Sequence, residues 1–235
     1  MIIVIEGIDA VGKKTQTQLL KTRAESVGLS SAILSFPRYG ETTFANLIAK
    51  YLNGDFGELE SVDPHFSALL YAGDRFESRD KIRHLAATHS LLIIDRYVAS
   101  NVAYQAARVD LSVRADFVSW LSNLEYELYD LPRPDLNVYL DLPATTASQM
   151  IHNRKQRSYT EKVADLHEKD TDYLAACQAV YRTLIEQSFS GQWLTIQCAR
   201  DNGQMREKME IADAIWNGID PVIQTISARA GNAGS

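Results

Sequence analysis

The sequence predicts an α/β fold in which a five-stranded parallel sheet lies between layers of helices. Two observations support this prediction. Short apolar runs alternate with longer segments of helical periodicity, and a glycine-rich loop follows the first apolar run directly. The runs have the length and composition of strands buried on both faces. They lie near residues 2–6, 32–36, 91–95, 136–142 and 193–197.

The segments between these runs have the period and the end signals of helices. Pro64 is placed for a first helical turn, and Asp110 precedes an apolar segment, as is typical of helix starts. We expect residues 1–225 to form a single domain and 226–235, which are small and polar, to form a flexible tail. The expected helices cover about residues 14–27, 43–52, 64–88, 111–129, 144–153, 170–188 and 204–224.

Composition and charge exclude several classes of function. The chain has 235 residues and a formal net charge of −6, so its surface as a whole is unsuited to nucleic acid. No apolar run reaches the roughly 18 residues of a membrane span, and the first residues lack the basic start of a secretory signal. Two cysteines, Cys177 and Cys198, give no disulfide framework. We therefore expect a cytoplasmic protein that binds neither nucleic acid nor membranes.

The loop after the first strand has the spacing of a phosphate-binding P-loop. Gly7 and Gly12 are separated by four residues, and Lys13 follows directly. The N–H groups of such a loop converge on a nucleotide phosphate, and the helix that follows favours anions at its N-terminus. The sequence therefore predicts a three-layer αβα fold of the P-loop NTPase type. The residues expected to hold ATP are Gly7, Ala10, Val11, Gly12, Lys13, Lys14 and Thr15.

The metal-binding part of this loop departs from the usual pattern. Lys14 stands where a serine or threonine hydroxyl normally binds Mg²⁺. Thr15 is a poor geometric substitute, because one helical step turns the side chain by about 100°. Asp95 follows the apolar run 91–94 like the acidic residue of a Walker B strand, and we predict that it serves Mg²⁺ through water. The alternative is an ordinary ion pair of Asp95 with Lys13 or Arg96.

Arginine and aromatic side chains follow two further strands, at the edge of the sheet where ligands gather. Arg38 and Tyr39 come just after the second strand, and Arg96 comes just after the third. Guanidinium groups suit an acceptor that already carries a phosphate, whereas a free hydroxyl acceptor would need a carboxylate base. Ordinary surface arginines are the alternative explanation, which their placement at one edge disfavours.

Two helical pairs are candidates for recognising a base. Tyr71 and Arg75 share one helix face, so the ring could stack on a base while the guanidinium contacts its edge. Asn101 and Tyr104 are likewise neighbours on one face, and the asparagine amide offers a donor and an acceptor together. The alternative for Tyr71 is simple packing in the core.

Together these motifs resemble the thymidylate kinase family, in order and spacing over roughly residues 1–200. The motif that begins at Asp95, with Ala103 and Tyr104 after it, is most similar to actinobacterial members. Those members also tolerate a basic residue at the position of Lys14. The motifs are Glu6-Gly7-x-Asp9-x-x-Gly12-Lys13, Phe36-Pro37-Arg38, Asp95-Arg96-Tyr97-x-x-Ser100-Asn101, and Leu70-Tyr71-Ala72-x-Asp74-Arg75.

The resemblance implies phosphorylation of dTMP to dTDP with ATP and Mg²⁺, by a homodimer. It implies that Asp9 contacts the 3′-hydroxyl of the acceptor sugar and helps to hold the metal. Tyr104 would crowd the 2′ position. The other implied dTMP-binding residues are Tyr71 on the thymine ring, Arg75 and Asn101 on its edge, and Phe36, Arg38, Tyr39 and Arg96 at or around the phosphate.

Family members carry a catalytic arginine either in the P-loop or in a mobile lid. Ala10 and Val11 occupy the loop positions here, so the basic stretch 152–158, in a lid near 152–166, is the remaining candidate. We predict that Arg154 and Arg157 stabilise charge on the γ-phosphate in the transition state, together with Lys13, Asp9 and Arg96 at the catalytic centre. A solvated run of charge is the alternative. Glu168 is implied as a further ligand of the metal or the sugar.

Two other functions stay open on sequence grounds. A deoxynucleoside kinase would share the fold and the lid, but three arginines for an acceptor phosphate argue against a free nucleoside. A nucleotide-binding regulatory protein of the GTPase kind would carry an Asn-Lys-x-Asp motif after a strand, which this chain lacks. A catalytically inactive homologue is suggested only by Lys14.

Overall fold

The five predicted strands form one parallel sheet, with the order β2-β3-β1-β4-β5. The computed structural model describes residues 1–58, 61–157 and 171–232. The predicted α/β fold class is confirmed. The strands are β1 (Ile2–Glu6), β2 (Ser31–Ser35), β3 (Leu91–Asp95), β4 (Leu136–Asp141) and β5 (Gln192–Gln197).

Helices cover both faces of this sheet. A π-helical turn, Asn123–Leu128, continues directly from the sixth of them. In the described part of the chain the helices are α1 (Lys13–Ser26), α2 (Thr43–Leu52), α3 (Pro64–Glu77), α4 (Arg79–Thr88), α5 (Val98–Ala106), α6 (Arg114–Ser122), α7 (Ala144–Arg157), α8 (Thr171–Glu186) and α9 (Lys208–Asn232). None of these helices combines the length and the apolar character that a membrane span needs.

The central strands are apolar because both of their faces are covered. All five residues of β1 are buried, and so are the first four of β3. Such strands offer no polar face to solvent, which explains why they are continuous apolar runs rather than alternating ones. The carboxyl ends of β1, β2 and β3 therefore reach one edge of the sheet together, since all pairings are parallel.

The helices differ from the prediction at four places. The segment 111–129 is α-helical only over Arg114–Ser122, so the helix does not start after Asp110, and it continues as the π-helical turn. The segment 64–88 is two helices, and the break falls at Ser78, whose hydroxyl donates to the Asp74 carbonyl at 2.8 Å and accepts from Arg38. Helix α5 was not among the expected helices, although Asn101 and Tyr104 had been paired at helical spacing. It is short, and its polar side chains line a buried cavity rather than face solvent. Helix α9 continues to Asn232, so residues 226–232 of the expected tail are helical, and 233–235 lie outside the described residues.

Close packing of α2 on α3 depends on the missing side chain of Gly73. A Cβ at this position would lie 2.4 Å from the ring of Phe44. We expect Gly73→Ala to lower the free energy of unfolding by about 1–3 kcal/mol, although alanine is the better helix former. In the background of Phe44→Leu, which opens space at the contact, the same substitution should cost much less. Denaturant unfolding of the four proteins measures this, and equal costs in both backgrounds would contradict the packing explanation.

Candidate active site

The glycine-rich loop between β1 and α1 has the backbone of a phosphate cradle. Gly7 has φ = 141°, and a Cβ there would lie 2.8 Å from the carbonyl oxygen of Leu140. Gly12 has φ = 88° and directly precedes α1. Both positions therefore require glycine, for conformational freedom at each and for space at Gly7. The loop ends on the N-terminus of a helix of 14 residues, where unpaired N–H groups favour an anion.

Lys13 is folded back into this loop. Its Nζ donates to the carbonyl oxygens of Gly7 at 3.0 Å and Ile8 at 2.7 Å. Burial, together with the positive charge of Arg96, lowers the pKa of Lys13 to about 8, although Asp9 and Asp95 act in the opposite direction. The ammonium is thus held in a site that lacks enough negative charge, which is the electrostatic condition for recruiting a phosphate.

Asp9, Arg96 and Tyr104 form one cluster beside the loop. The Asp9 carboxylate accepts from the Arg96 guanidinium and, at 2.8 Å, from the Tyr104 hydroxyl. The guanidinium carbon of Arg96 lies 5.2 Å from the centre of the Tyr104 ring. Burial acts to lower the pKa of Arg96, but Asp9, Tyr104 and further neighbours together outweigh it, so this pKa is raised and Arg96 stays charged. A fixed positive charge therefore stands close to Lys13.

Glu6, the last residue of β1, fixes the turn that carries Arg96. Its carboxylate is fully buried and accepts from the backbone N–H groups of Tyr97 at 3.0 Å and Ser100 at 3.2 Å. These groups belong to the N-terminal end of α5, so Glu6 caps that helix from another element. It also accepts from the hydroxyl of Tyr181 on α8 at 2.8 Å. Arg96 itself has φ = 65°, a conformation that this capping holds in place.

A cavity of about 160 Å³ lies next to the Asp9 cluster, at the carboxyl edge of the sheet. It brings together most of the residues predicted for an acceptor. Phe36 and Asn101 are buried, Tyr71 is half-buried, and Tyr39 is exposed at the surface. The lining residues are Asp9, Phe36, Pro37, Tyr39, Leu52, Tyr71, Arg75, Arg96, Ser100, Asn101, Tyr104 and Gln105.

Arg75 and Asn101 reach this cavity from a buried ionic network centred on Glu125. The Arg75 guanidinium binds the Glu125 carboxylate with two nitrogens, and the Nη2 to Oε1 distance is 2.6 Å. Burial acts to lower the pKa of Arg75, but the charge and hydrogen bonds of Glu125, together with the charge of Asp74, outweigh burial and the pKa is raised. The Asn101 amide nitrogen donates to Glu125 Oε1 at 2.9 Å. The two side chains predicted to contact the edge of a base are therefore held by one carboxylate.

Arg38 is the predicted acceptor residue that does not line the cavity. Its guanidinium donates to the Ser78 hydroxyl at 2.8 Å and pairs with Glu41. Its backbone N–H donates to Asp74 at 3.0 Å. The arginine is thus tied to the end of α3, and its Nε is buried with no acceptor among the described residues.

The oxygen ligands near the loop fit a magnesium ion in part. Asp95 Oδ1 is buried and accepts no hydrogen bond from the described residues. An acceptor in that state suits a metal-bound water, and carboxylate oxygens are what Mg²⁺ prefers. The side chains of Lys14 and Thr15 are exposed, so the usual hydroxyl ligand is not in place. The described ranges hold no group of three or more side chains arranged for a metal.

The predicted lid falls largely on residues that the structure does not describe. The backbone places Arg154 and Arg157 in the last turns of α7. The remainder of the lid, from residue 158 to 166, and Glu168 lie outside the described residues. Near the start of α7, a second and larger cavity of about 740 Å³ is lined by Arg200 and Asp201, among others.

Glu125 is the main site residue that sequence analysis missed. It continues the buried row of Leu121 and Leu124 on a segment expected to be an ordinary amphipathic helix. A carboxylate on an apolar helical row is the signal that could have identified it, because such a charge needs a buried partner. Leu52 and Gln105 also line the cavity without having been predicted.

The fold and the site define a class of protein. A parallel sheet with a P-loop after its first strand, and an arginine-lined cavity beside that loop, is the arrangement of a P-loop kinase with separate donor and acceptor sites.

Comparison with known proteins places the chain within this class. A family model described as thymidylate kinase matches residues 5–209. A thymidylate kinase of Mycobacterium tuberculosis is 35% identical over 205 residues, which cover 87% of this chain and 95% of the relative. A probable thymidylate kinase of Thermococcus onnurineus is 35% identical over 175 residues, covering 72% and 80%. The chain therefore belongs to the thymidylate kinase family, and it is a nucleoside monophosphate kinase.

A solved structure of thymidylate kinase from Candida albicans supports the fold. It covers 94% of this chain and 91% of its own, with a TM-score of 0.66 at 22% identity. The resemblance deduced from the motifs is thus confirmed, including its actinobacterial character, which the Mycobacterium relative matches.

The lowered pKa of Lys13 predicts how nucleotide binding depends on pH. Below pH 8 the free protein carries the ammonium, and above it the neutral amine, which attracts phosphate less. Affinity for ATP should therefore fall as pH rises through this value. Well above it, each further pH unit should weaken ATP binding by about tenfold. Titration calorimetry between about pH 7 and 9.5 measures this. Lys13→Arg is the control, because its guanidinium stays charged. A wild-type profile as flat as that of the arginine variant would contradict the assignment.

Proposed function

We propose that this protein transfers the γ-phosphoryl group of Mg·ATP to dTMP, giving dTDP and ADP by in-line displacement. One observation carries the proposal: the Asp9–Arg96–Tyr104 cluster lies between the phosphate cradle and a base-sized cavity. Arg96 is close enough to Lys13 to lower its pKa. A donor phosphate at Lys13 and an acceptor phosphate at Arg96 would therefore meet at one wall, as phosphoryl transfer requires.

The cavity residues fit the parts of a deoxynucleotide. Tyr71 would stack on the thymine ring while Arg75 and Asn101 bind its edge. Tyr104 would occupy the space of a 2′-hydroxyl, and Asp9 would accept from the 3′-hydroxyl. Phe36 and Tyr39 would flank the acceptor phosphate that Arg96 binds. Arg38 would join them only by exchanging Glu41 for that phosphate.

The donor site would hold ATP on the loop amides of residues 7–15 with Mg²⁺ beside them. Asp95 would bind a water of the metal, and Asp9 would contribute a second carboxylate. When bound, Mg²⁺ neutralises charge on the β- and γ-phosphates. Lys13 would leave its two carbonyl partners to contact the same oxygens, a step that its charged form favours.

A lid would complete the catalytic centre. We keep residues 1–225 as one domain with a lid near 152–166, in which Arg154 and Arg157 stabilise the transferring phosphoryl group and Glu168 supports the metal or the sugar. Two observations support this lid. The chain belongs to the family, and its P-loop has Ala10 and Val11 where some members carry a catalytic arginine, so another segment has to supply that arginine.

We also propose a cytoplasmic location, which suits two cysteines that are both free and buried.

A coupled assay for ADP release tests the function directly. Wild-type protein would receive Mg·ATP and, in parallel, dTMP, dUMP, dGMP or thymidine. Turnover with dTMP and almost none with thymidine supports the proposal. Turnover with thymidine alone would assign a deoxynucleoside kinase, and ATP binding without turnover on any acceptor would indicate a regulatory or inactive protein.

A substitution at Arg96 distinguishes binding of the acceptor from binding of the donor. We expect Arg96→Ala to lower kcat/KM for dTMP by about 10²–10³-fold, because the acceptor phosphate loses its charged partner, while ATP binding persists. Arg83→Ala is a matched control, since Arg83 pairs with Asp130 on the surface. Near-full activity of Arg96→Ala in the coupled assay would refute the acceptor assignment.

A homodimer would bury the exposed apolar side of α3. Phe66, Leu69 and Phe76 are 44%, 38% and 42% exposed and lie along one side of this helix. We expect Leu69→Glu to convert a dimer to a monomer of 26.3 kDa in analytical ultracentrifugation. Val27→Glu, at an exposed apolar position after α1, should leave the dimer intact. A wild-type monomer, or a dimer insensitive to Leu69→Glu, would exclude this surface.

A further inference from the structure

We propose that Glu125 is the positioning residue that sets the hydrogen-bond polarity of the base site. It orients the Asn101 amide so that its oxygen faces the cavity, and it aligns Arg75 so that a donor stands beside that oxygen. The site then accepts a base with an N–H donor next to a carbonyl and rejects one with the opposite pattern. The inference rests on the proposed function and specifies its base selectivity.

The orientation of Asn101 follows from its partners. Its amide nitrogen lies 3.0 Å from the carbonyl oxygen of Ala68 and 2.9 Å from Glu125 Oε1. Both partners are acceptors only, so both N–H groups of the amide point at them. The amide oxygen is left buried, with no donor among the described residues. Asn101 is only 3% exposed and lines the cavity, so a donor group of a ligand bound there can satisfy this oxygen.

Arg75 supplies the complementary donor. Glu125 occupies its Nε and Nη2. Its remaining nitrogen, Nη1, makes no hydrogen bond to the part of the chain that the structure describes. A guanidinium has donors alone, so whatever meets Nη1 must be an acceptor. The acceptor of Asn101 and the donor of Arg75 thus belong to two side chains that bind the same Glu125 oxygen and line the same cavity.

Glu125 reaches this position through the π-helical turn. The turn Asn123–Leu128 follows α6, and Glu125 is completely buried within it. Its Oε1 accepts from Arg75 and Asn101 simultaneously. A carboxylate can satisfy both donors because neither of its oxygens carries a hydrogen. A glutamine of the same shape cannot, since its amide nitrogen would face one of them.

The hydrogen-bond polarity of the base site discriminates between two pyrimidines of nearly equal size. Uracil and thymine have an N3–H donor beside a 4-carbonyl, which matches the acceptor of Asn101 and the donor of Arg75. Cytosine has an N3 acceptor beside an amino donor, so both contacts would be repulsive and leave buried groups unpaired. dUMP and dCMP differ only in this pattern, which makes them the matched substrates for a test.

The test compares Glu125→Gln with wild type in the ADP-release assay, using dUMP and dCMP as acceptors. We expect the ratio of their kcat/KM values, in favour of dUMP, to fall at least about tenfold in Glu125→Gln, because Asn101 and Arg75 lose their fixed orientation. Glu127→Gln is the matched control. It makes the same change two residues away, where Glu127 is exposed and pairs with Arg133. A role in stability alone would lower both activities equally and leave the ratio unchanged, which would overturn the proposal.

A measurement on the wild-type protein decides the case if Glu125→Gln does not fold. In ligand-free protein, the Asn101 side-chain amide protons are assigned by their absence from the NMR spectrum of Asn101→Asp. Exchange with solvent at least about tenfold slower than at exposed side-chain amides supports the orientation. Exchange as fast as theirs overturns it. This readout needs no substrate, so it stands even if wild type phosphorylates none of the acceptors, a result that would refute the proposed function instead.

Discussion

The buried carboxylate of Glu6 is the interaction on which the rest of the site depends. It joins the end of β1 to the first turn of α5 and, through Tyr181, to α8. The P-loop starts directly after Glu6, and Arg96 directly precedes the capped turn. One side chain therefore sets the position of the donor loop relative to the acceptor arginine, and this is the distance that phosphoryl transfer requires to be fixed.

Buried charge is tolerated here because each buried carboxylate accepts hydrogen bonds from several donors. Glu6 accepts from α5 and from α8, Glu125 accepts from a guanidinium and an amide, and Asp9 accepts from Arg96 and Tyr104. Such networks are costly to break, since each lost partner leaves an uncompensated charge. The acceptor site is consequently rigid before any ligand arrives, with its donors and acceptors already aimed. This is the physical basis for selecting one base by pattern.

The sequence predicted the strands, the P-loop and most of the cavity, because these follow from local patterns. Buried parallel strands are continuous apolar runs, and residues just after them must meet at one edge. The roles of Ser78 and Glu125 could not be predicted in the same way. The helix break at Ser78 depends on a bond from Arg38, 40 residues away, and the place of Glu125 depends on Arg75, 50 residues away. Helix α5 was not among the expected helices because it is short and its polar side chains line a buried cavity, whereas the polar stripe of an ordinary surface helix faces solvent.

The low pKa of Lys13 has a consequence for the balance of protons during a catalytic cycle. In the empty enzyme near pH 8, a large share of the molecules lacks this proton, because burial and the charge of Arg96 disfavour the ammonium and lower its pKa. Phosphate oxygens arriving at the loop reverse that preference, so loading the donor site takes up a proton from solvent. Departure of the nucleotide returns it. The heat of nucleotide binding will therefore vary with the ionisation enthalpy of the buffer, and the enzyme exchanges a proton with its surroundings at each filling and emptying.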